Sequence, residues 1–301
     1  MTFEIFKQAV ARVKELDISP RISLTGQGES TLHSQLVEFV RYATSQGVVV
    51  HMTTNANLLN KTLSRELLAA GLMGIAFSVS DFDDDYELVY NLSFEKTRTN
   101  ILDFLEVRDE FSDRDIGVVV SIVQHDLNVN KIEHMKSYWK GAGIEFVMEF
   151  EQNNRGGACD NAHYFIGSDR FVEEAKTLMA EQNVSTLCSA PFHYVFIGWN
   201  GQYYICCSDY KKESPLGSVF EHSIDAMDQI KLNAFAGYLP ACSVCNIDPV
   251  NAIREKMFEV EKGDATQEDL HEVLAELASY NHKRLPKDID ILHWQDSVTV
   301  I

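Results

Sequence analysis

Over its first 150 residues the chain alternates amphipathic helical stretches with short apolar runs, and this alternation constrains the fold more than any other feature. Phe3 to Leu16 reads as a helix with Phe6, Val10 and Val13 on one face. Arg21 to Leu24 reads as a strand, followed by a helix from about Thr31 that Gly47 ends. Strands are expected at Val48 to Met52, Gly74 to Val79, Val118 to Val123 and Ile144 to Phe150. Helices are expected between them at Leu63 to Ala70, Phe94 to Arg108 and Val129 to Lys140. Strands spaced by helices of this length build βαβ units and a parallel sheet. The runs Val48-Val49-Val50 and Val118-Val119-Val120 suit strands covered on both faces. The series opens on a helix, as though a strand preceded it.

Three of these strands run into polar turns. Thr25-Gly26-Gln27-Gly28-Glu29-Ser30 brings glycines, which let backbone amides approach a ligand, and a carboxylate that can accept from an ammonium group. The third glycine of a dinucleotide fingerprint is missing. Thr53-Thr54-Asn55-Ala56-Asn57 and Phe77-Ser78-Val79-Ser80-Asp81 follow the next two strands. Asn, Asp and Ser are ordinary turn residues. Three such ends in succession nevertheless mark the ligand face of a parallel α/β sheet. Asp81, Asp83, Asp84 and Asp85 fit no calcium-loop spacing and read as a solvated acidic loop. His33, His51 and His125 read as surface or packing residues.

The six cysteines are unevenly placed: none precedes Cys159, and five lie between Cys188 and Cys245. Cys206 and Cys207 are adjacent, and Cys242 and Cys245 form a C-x2-C pair. Clustered cysteines in a cytosolic chain read first as metal or cluster ligands. Zinc and iron–sulfur both accept four thiolates, and the pair alone does not separate them. Cys159 stands apart as a structural residue. Around the cysteines, Tyr194 to Ile197 and Tyr203 to Ile205 read as β-runs joined at Asn200-Gly201, a type I′ hairpin signal. Ser168 to Gln182 reads as a helix, as does most of Pro249 to His282, with a second helix starting at Thr266. Val298 to Ile301 reads as a strand.

Taken together, these segments resemble the radical S-adenosylmethionine (radical SAM) superfamily over roughly residues 3 to 157. Gln27-Gly28-Glu29-Ser30 stands where the family carries Gly-Gly-Glu-Pro, and the phrase Ser93-Phe94-Glu95-Lys96 is similar to one of its later helix starts. The resemblance implies a partial (β/α)6 barrel of α/β class that lacks its first strand. It implies S-adenosylmethionine bound by Gly28, Glu29, Ser30, Asn55, Ser78 and Ser80. The region from Cys188 to Asn246 resembles the SPASM or shorter twitch domain. That implies one auxiliary [4Fe–4S] cluster on Cys188, Cys206, Cys242 and Cys245, with Cys207 as a substitute for Cys206 and zinc as the rival occupant. The implied domains are 1–157 for the barrel, 158–248 for the cluster domain, and 249–301 for a helical extension and tail. The implied activity is cleavage of S-adenosylmethionine to modify a peptide, a protein or a small molecule; the alternative is a non-catalytic iron–sulfur or zinc protein derived from that family.

Radical SAM chemistry also needs a C-x3-C-x2-C triplet, and these 301 residues contain none. Three readings follow. The missing strand and triplet come from another segment or a separate partner chain. Or the protein is a non-catalytic relative. Or the barrel is permuted, with Val298 to Ile301 in the vacant place. The net charge of −19 repels phosphate backbones and argues against general nucleic-acid binding. The sequence contains no run of 18 apolar residues to span a membrane, and its first residues read as an amphipathic helix rather than a signal peptide, so a cytoplasmic protein is expected.

Overall fold

The computed structural model describes residues 1–16, 19–144, 146–150, 153–159, 170–188, 190–236, 239–281 and 298–300. The chain gathers into two compact units. The first comprises residues 1–152, 197–201 and 297–301; the second comprises 153–196 and 202–296.

In the first unit, helices and strands alternate as the periodicity requires. They run α1 (Phe3–Lys14), β1 (Arg21–Leu24), α2 (Leu36–Ser45), β2 (Val49–Thr54), α3 (Lys61–Ala70), β3 (Leu72–Ser78), α4 (Asp83–Tyr90), α5 (Phe94–Asp109), β4 (Gly117–Val123), α6 (Ile132–Gly141) and β5 (Phe146–Phe150). Local chemistry sets the boundaries. The Asn60 side chain accepts from the Leu63 amide at 2.9 Å and caps α3. Gly71 ends that helix at φ +107°, where a Cβ would lie 2.5 Å from the Thr44 side chain, so both backbone and packing demand glycine. Asp83, Asp84 and Asp85 do not form a loop; they occupy the first turn of α4. Three carboxylates there face the positive end of the helix dipole, which stabilises a helix start. The helix expected from Thr31 instead opens with a 3-10 turn at Ser30–Leu32 and becomes α-helical at Leu36.

The five strands pair in parallel in the order β5-β4-β3-β2-β1. The free side of β1 is taken by the chain's own tail: Val298–Val300 lies parallel to it, with Ile22 opposite Val298 and Leu24 opposite Val300. The third reading of the sequence places the tail at this edge, and here it is found. A separate chain supplying a strand to β1 would meet this occupant.

One face of the sheet is buried across β1 to β4 and opens to solvent at β5, where Glu149 is exposed. Ile22, Val50, Met52, Phe77, Val120 and Ile122 pack there with Phe6, Phe39, Leu67, Phe104 and Trp139 in the core. Phe77 meets Phe104 edge-on at 5.5 Å between centroids. The other face is only half-buried and carries Ser23, His51, Thr53, Ser78 and Ser121. Ser23 opposes His51 and Ser78 opposes Ser121, so these polar residues share rows across the strands. The apolar runs are therefore covered unequally, because alternation puts one polar residue in two on the other side.

The second unit packs α7 (Val172–Glu181), α10 (Pro249–Lys262) and α11 (Gln267–Asn281) around Ala175, Met179, Val184, Ile253, Leu270 and Leu274. Beside them are β7 (Gln202–Tyr204) and β8 (Pro215–Ser218), an antiparallel pair, then α8 (Met227–Ala236) and the single turn α9 (Pro240–Ser243). The Asn200-Gly201 turn is not type I′. Only Gly201 has positive φ, and its amide bonds the Gly198 carbonyl, which makes a longer turn with a left-handed glycine at its end. The helix expected at Ser168 to Gln182 runs from Val172 to Glu181, with residues 170 and 171 in a turn; residues 168 and 169, and the tail from 282 to 297, lie outside the described residues. No helix among the described residues is long and apolar enough to cross a membrane.

Removing residues 298–301 should uncover the β1 edge without touching the buried face. Hydrogen exchange followed by mass spectrometry should then show faster exchange at Arg21–Leu24, with protection at β3 and β4 unchanged.

Candidate functional site

The polar strand ends meet through one carboxylate. Glu29 Oε1 accepts from the Thr31 amide at 3.0 Å, the Thr31 hydroxyl at 2.6 Å and the Thr54 hydroxyl at 2.6 Å; Oε2 accepts from the Asn55 amide at 2.8 Å. The turn after β1 is thereby joined to the end of β2. Ser30 Oγ donates to the Leu24 carbonyl at 3.1 Å and tightens the same turn. Asn55 Oδ1 accepts from the Asn57 amide, an Asx turn that fixes the next loop. Gly28, Glu29 and Ser30 line a cavity of about 140 Å³ with Leu24, His33 and Phe39. A Cβ at Gly28 would meet no atom within 4 Å, so packing does not require glycine there. Asn55, Ser78 and Ser80 do not line this cavity. Ser78 lies on the half-buried polar face, and buried Ser80 accepts from the Val123 amide at 2.9 Å.

The same end of the sheet holds a pair that the sequence reading assigned to turn and packing roles. Asp81, after β3, is buried, and its Oδ2 lies 2.9 Å from Nε2 of His125, after β4. His125 Nδ1 accepts from the Leu127 amide at 3.3 Å, which leaves the ring proton on Nε2 to donate to Asp81. Burial pushes the Asp81 carboxyl upward, opposed by the bond to His125. Asn128 holds the loop with bonds to the carbonyls of Ser80 and Val123. These two residues are 44 positions apart, and no local pattern joins them.

In the second unit, Cys188, Cys206, Cys207, Cys242 and Cys245 all line one cavity of about 60 Å³, together with Tyr194, Ser208 and Asp248. Three separate segments bring the cysteines there. Cys206 and Cys207 follow β7, and Cys242 and Cys245 sit on and just after α9. The side chain of Asn251 in α10 fastens the C-x2-C loop by donating to the carbonyls of Cys242, Ser243 and Cys245. Asn154 and Asn246 bond reciprocally, side chain to amide, at 2.9 and 3.3 Å, and Asn154 Nδ2 also holds the Val244 carbonyl. Cys159 follows this turn and is not among the cavity-lining residues.

Burial governs the electrostatics. It pushes the Cys188 and Cys242 thiols up to about 12, and those of Cys206 and Cys245 upward as well. Several thiolates so close together in low dielectric need a cation among them, and a coordinated metal provides that by deprotonating its ligands. The surrounding chain carries positive charge. Lys231 is buried and donates to the carbonyls of Pro191 and Tyr194. Lys212 lies 4.6 Å from the Phe196 ring and 4.7 Å from the Tyr204 ring, with its buried ammonium lacking a hydrogen-bond partner. Sulfurs around a cavity, flanked by ammonium groups, fit an anionic thiolate cluster. They ring a space rather than a point: among the described residues, no three His, Cys, Asp or Glu side chains are grouped to hold a single metal ion.

The parallel sheet with its polar strand ends is the fold of radical SAM enzymes. SuiB of Streptococcus suis, solved with the precursor peptide SuiA, matches with a TM-score of 0.58 at 13% identity, over 81% of this chain and 62% of that one. The chain anSMEcpe with bound AdoMet matches at 0.57 and 12% identity, over 93% and 89%. The same protein with AdoMet and the Kp18Cys peptide matches at 0.55 and 13%, over the same shares. No curated protein matches the chain in sequence. Residues 188–246 match the SPASM family, an iron–sulfur cluster-binding domain, and this stretch contains all five cavity cysteines. The chain is therefore built as a radical SAM-type partial barrel followed by a SPASM domain.

Burial holds Lys231 at about 8, against 10.5 when exposed. Below pH 8 the folded state bears the cost of a desolvated ammonium. Between pH 8 and 10.5 it sheds the proton while the unfolded chain keeps it, so stability rises with pH across that window. Relative to Lys231→Met, the wild type should gain up to ~3 kcal/mol from pH 8 to 10.5 in urea unfolding.

Proposed function

We propose that this protein is the S-adenosylmethionine-binding and auxiliary-cluster portion of a radical SAM enzyme that modifies a peptide. The observation that carries this reading is the coincidence of the SPASM match with five cysteines around one cavity. Cys188, Cys206, Cys242 and Cys245 would hold one [4Fe–4S] cluster, which uses four thiolates. A cluster there would supply one-electron redox capacity. Peptides are the favoured substrates because SuiB was solved with a precursor peptide and anSMEcpe with a peptide. The proposed boundaries are 1–157, 158–248 and 249–301.

Gly28 would let the backbone approach S-adenosylmethionine. The glutamate beside it has four donors within the chain, so its part is to hold the turn that presents this backbone and to add negative charge near the ligand's ammonium. Ser30 tightens the same turn. The resemblance also assigns Asn55, Ser78 and Ser80 to S-adenosylmethionine, but they stand apart from the cavity at Gly28, and Ser80 is buried against the Val123 amide. Radical formation in that family also needs a C-x3-C-x2-C triplet, which these 301 residues do not contain.

Anaerobic reconstitution with iron and sulfide should load about four irons per chain, and serine at Cys188, Cys242 or Cys245 should abolish that loading. Zinc alone in the wild type would overturn the iron–sulfur assignment and leave the zinc-binding reading. Gly28→Ala should weaken S-adenosylmethionine binding by about tenfold or more in calorimetric titration. Its effect on unfolding free energy should stay within about 0.5 kcal/mol, because the added methyl meets no protein atom. Equal affinity in the variant would remove Gly28 from the site.

A further inference from the structure

Five thiols surround a cavity where a [4Fe–4S] cluster takes four, and the two candidates for the surplus position are chain neighbours. Their surroundings differ. Cys206 is buried, and its sulfur accepts the Ser208 amide at 3.3 Å. An N–H aimed at sulfur favours the thiolate and is the kind of outer contact that supports a ligand. Cys207 is less buried, and its sulfur lies 3.1 Å from the Tyr194 hydroxyl. The phenol is the stronger donor of that pair, so Tyr194 donates to Cys207. Tyr194 is held in turn, because the Lys231 ammonium donates to its carbonyl and to that of Pro191. That buried lysine pins the segment on which the hydroxyl is mounted.

Resting on the iron–sulfur reading above, we propose that Cys206 is the ligand and that Tyr194 acts as a latch holding Cys207 against the cavity wall as a non-ligand thiol. The latch selects between two adjacent sulfurs that line the same cavity. It also leaves a thiol beside the cluster that can replace Cys206 only once the latch is removed.

The test uses the reconstituted full chain. In the wild type with four irons, brief alkylation followed by mass spectrometry should label Cys207 and spare Cys206, Cys188, Cys242 and Cys245. Cys207→Ser should keep about four irons and the wild-type absorption spectrum. Cys206→Ser should lose most of its iron. Adding Tyr194→Phe to Cys206→Ser should restore iron severalfold, because Cys207 is released to bind. The assignment is overturned if wild-type Cys207 is protected while Cys206 is labelled, or if Cys207→Ser loses its iron while Cys206→Ser keeps it. It is also overturned if Tyr194→Phe rescues nothing in a Cys206→Ser protein that remains folded by circular dichroism. Iron-loaded wild type with any of these results sinks the latch alone, whereas wild type that takes only zinc sinks the iron–sulfur reading and the latch with it.

Discussion

Buried sulfur does not ionise unaided, and the second unit is organised around that constraint. Five thiols line one cavity, and burial opposes charge on at least four of them. The peptide groups and cations near them all act on this. Asn251 gathers three carbonyls of the C-x2-C loop, the Ser208 amide turns toward Cys206, and Lys212 and Lys231 bring ammonium groups into low dielectric. Each of these groups is costly to bury by itself. Together they make sense around a shared negative charge delocalised over metal and sulfide.

The first unit solves a different problem. A parallel sheet gathers its strand ends on one side, but the turns there are short and polar and need anchoring. Glu29 does this with four accepted hydrogen bonds from the turns after β1 and β2. Asp81, His125 and Asn128 do the same between the ends of β3 and β4. The cavity at Gly28 lies next to the first of these anchors, so its floor is held by bonds made before any ligand arrives. Preorganisation of that kind lowers the ordering cost of binding.

Much of this was legible in the residue order. Periodicities of 3.6 and 2 placed α1, α3, α5 and the five strands, because each segment's own apolar spacing decides its state. The grouping of the five cavity cysteines was legible because cysteines are rare and cluster visibly. What escaped reading depends on partners distant in sequence or on local electrostatics. Asp83, Asp84 and Asp85 look like a solvated loop until their position at a helix N-terminus is known. Pro215–Ser218 is a strand only because Gln202–Tyr204 pairs with it. The Asp81–His125 contact, the Tyr194–Cys207 contact and the lysine under Tyr194 join residues from separate segments, and no spacing rule announces them.

The pairing of Val298–Val300 with β1 has a consequence for how the molecule is made. β1 leaves the ribosome well before its partner on that side. Until the tail emerges the strand's outer edge lacks this cover, and the closing contact joins residue 22 to residue 298. Contacts of such sequence separation form slowly, since a long loop must be closed before they reward it. The nascent chain therefore passes through a prolonged stage with a bare strand edge, the stage at which chaperones or neighbouring copies would engage it. A fusion or tag joined directly after residue 301 acts on that closing contact rather than on a passive end.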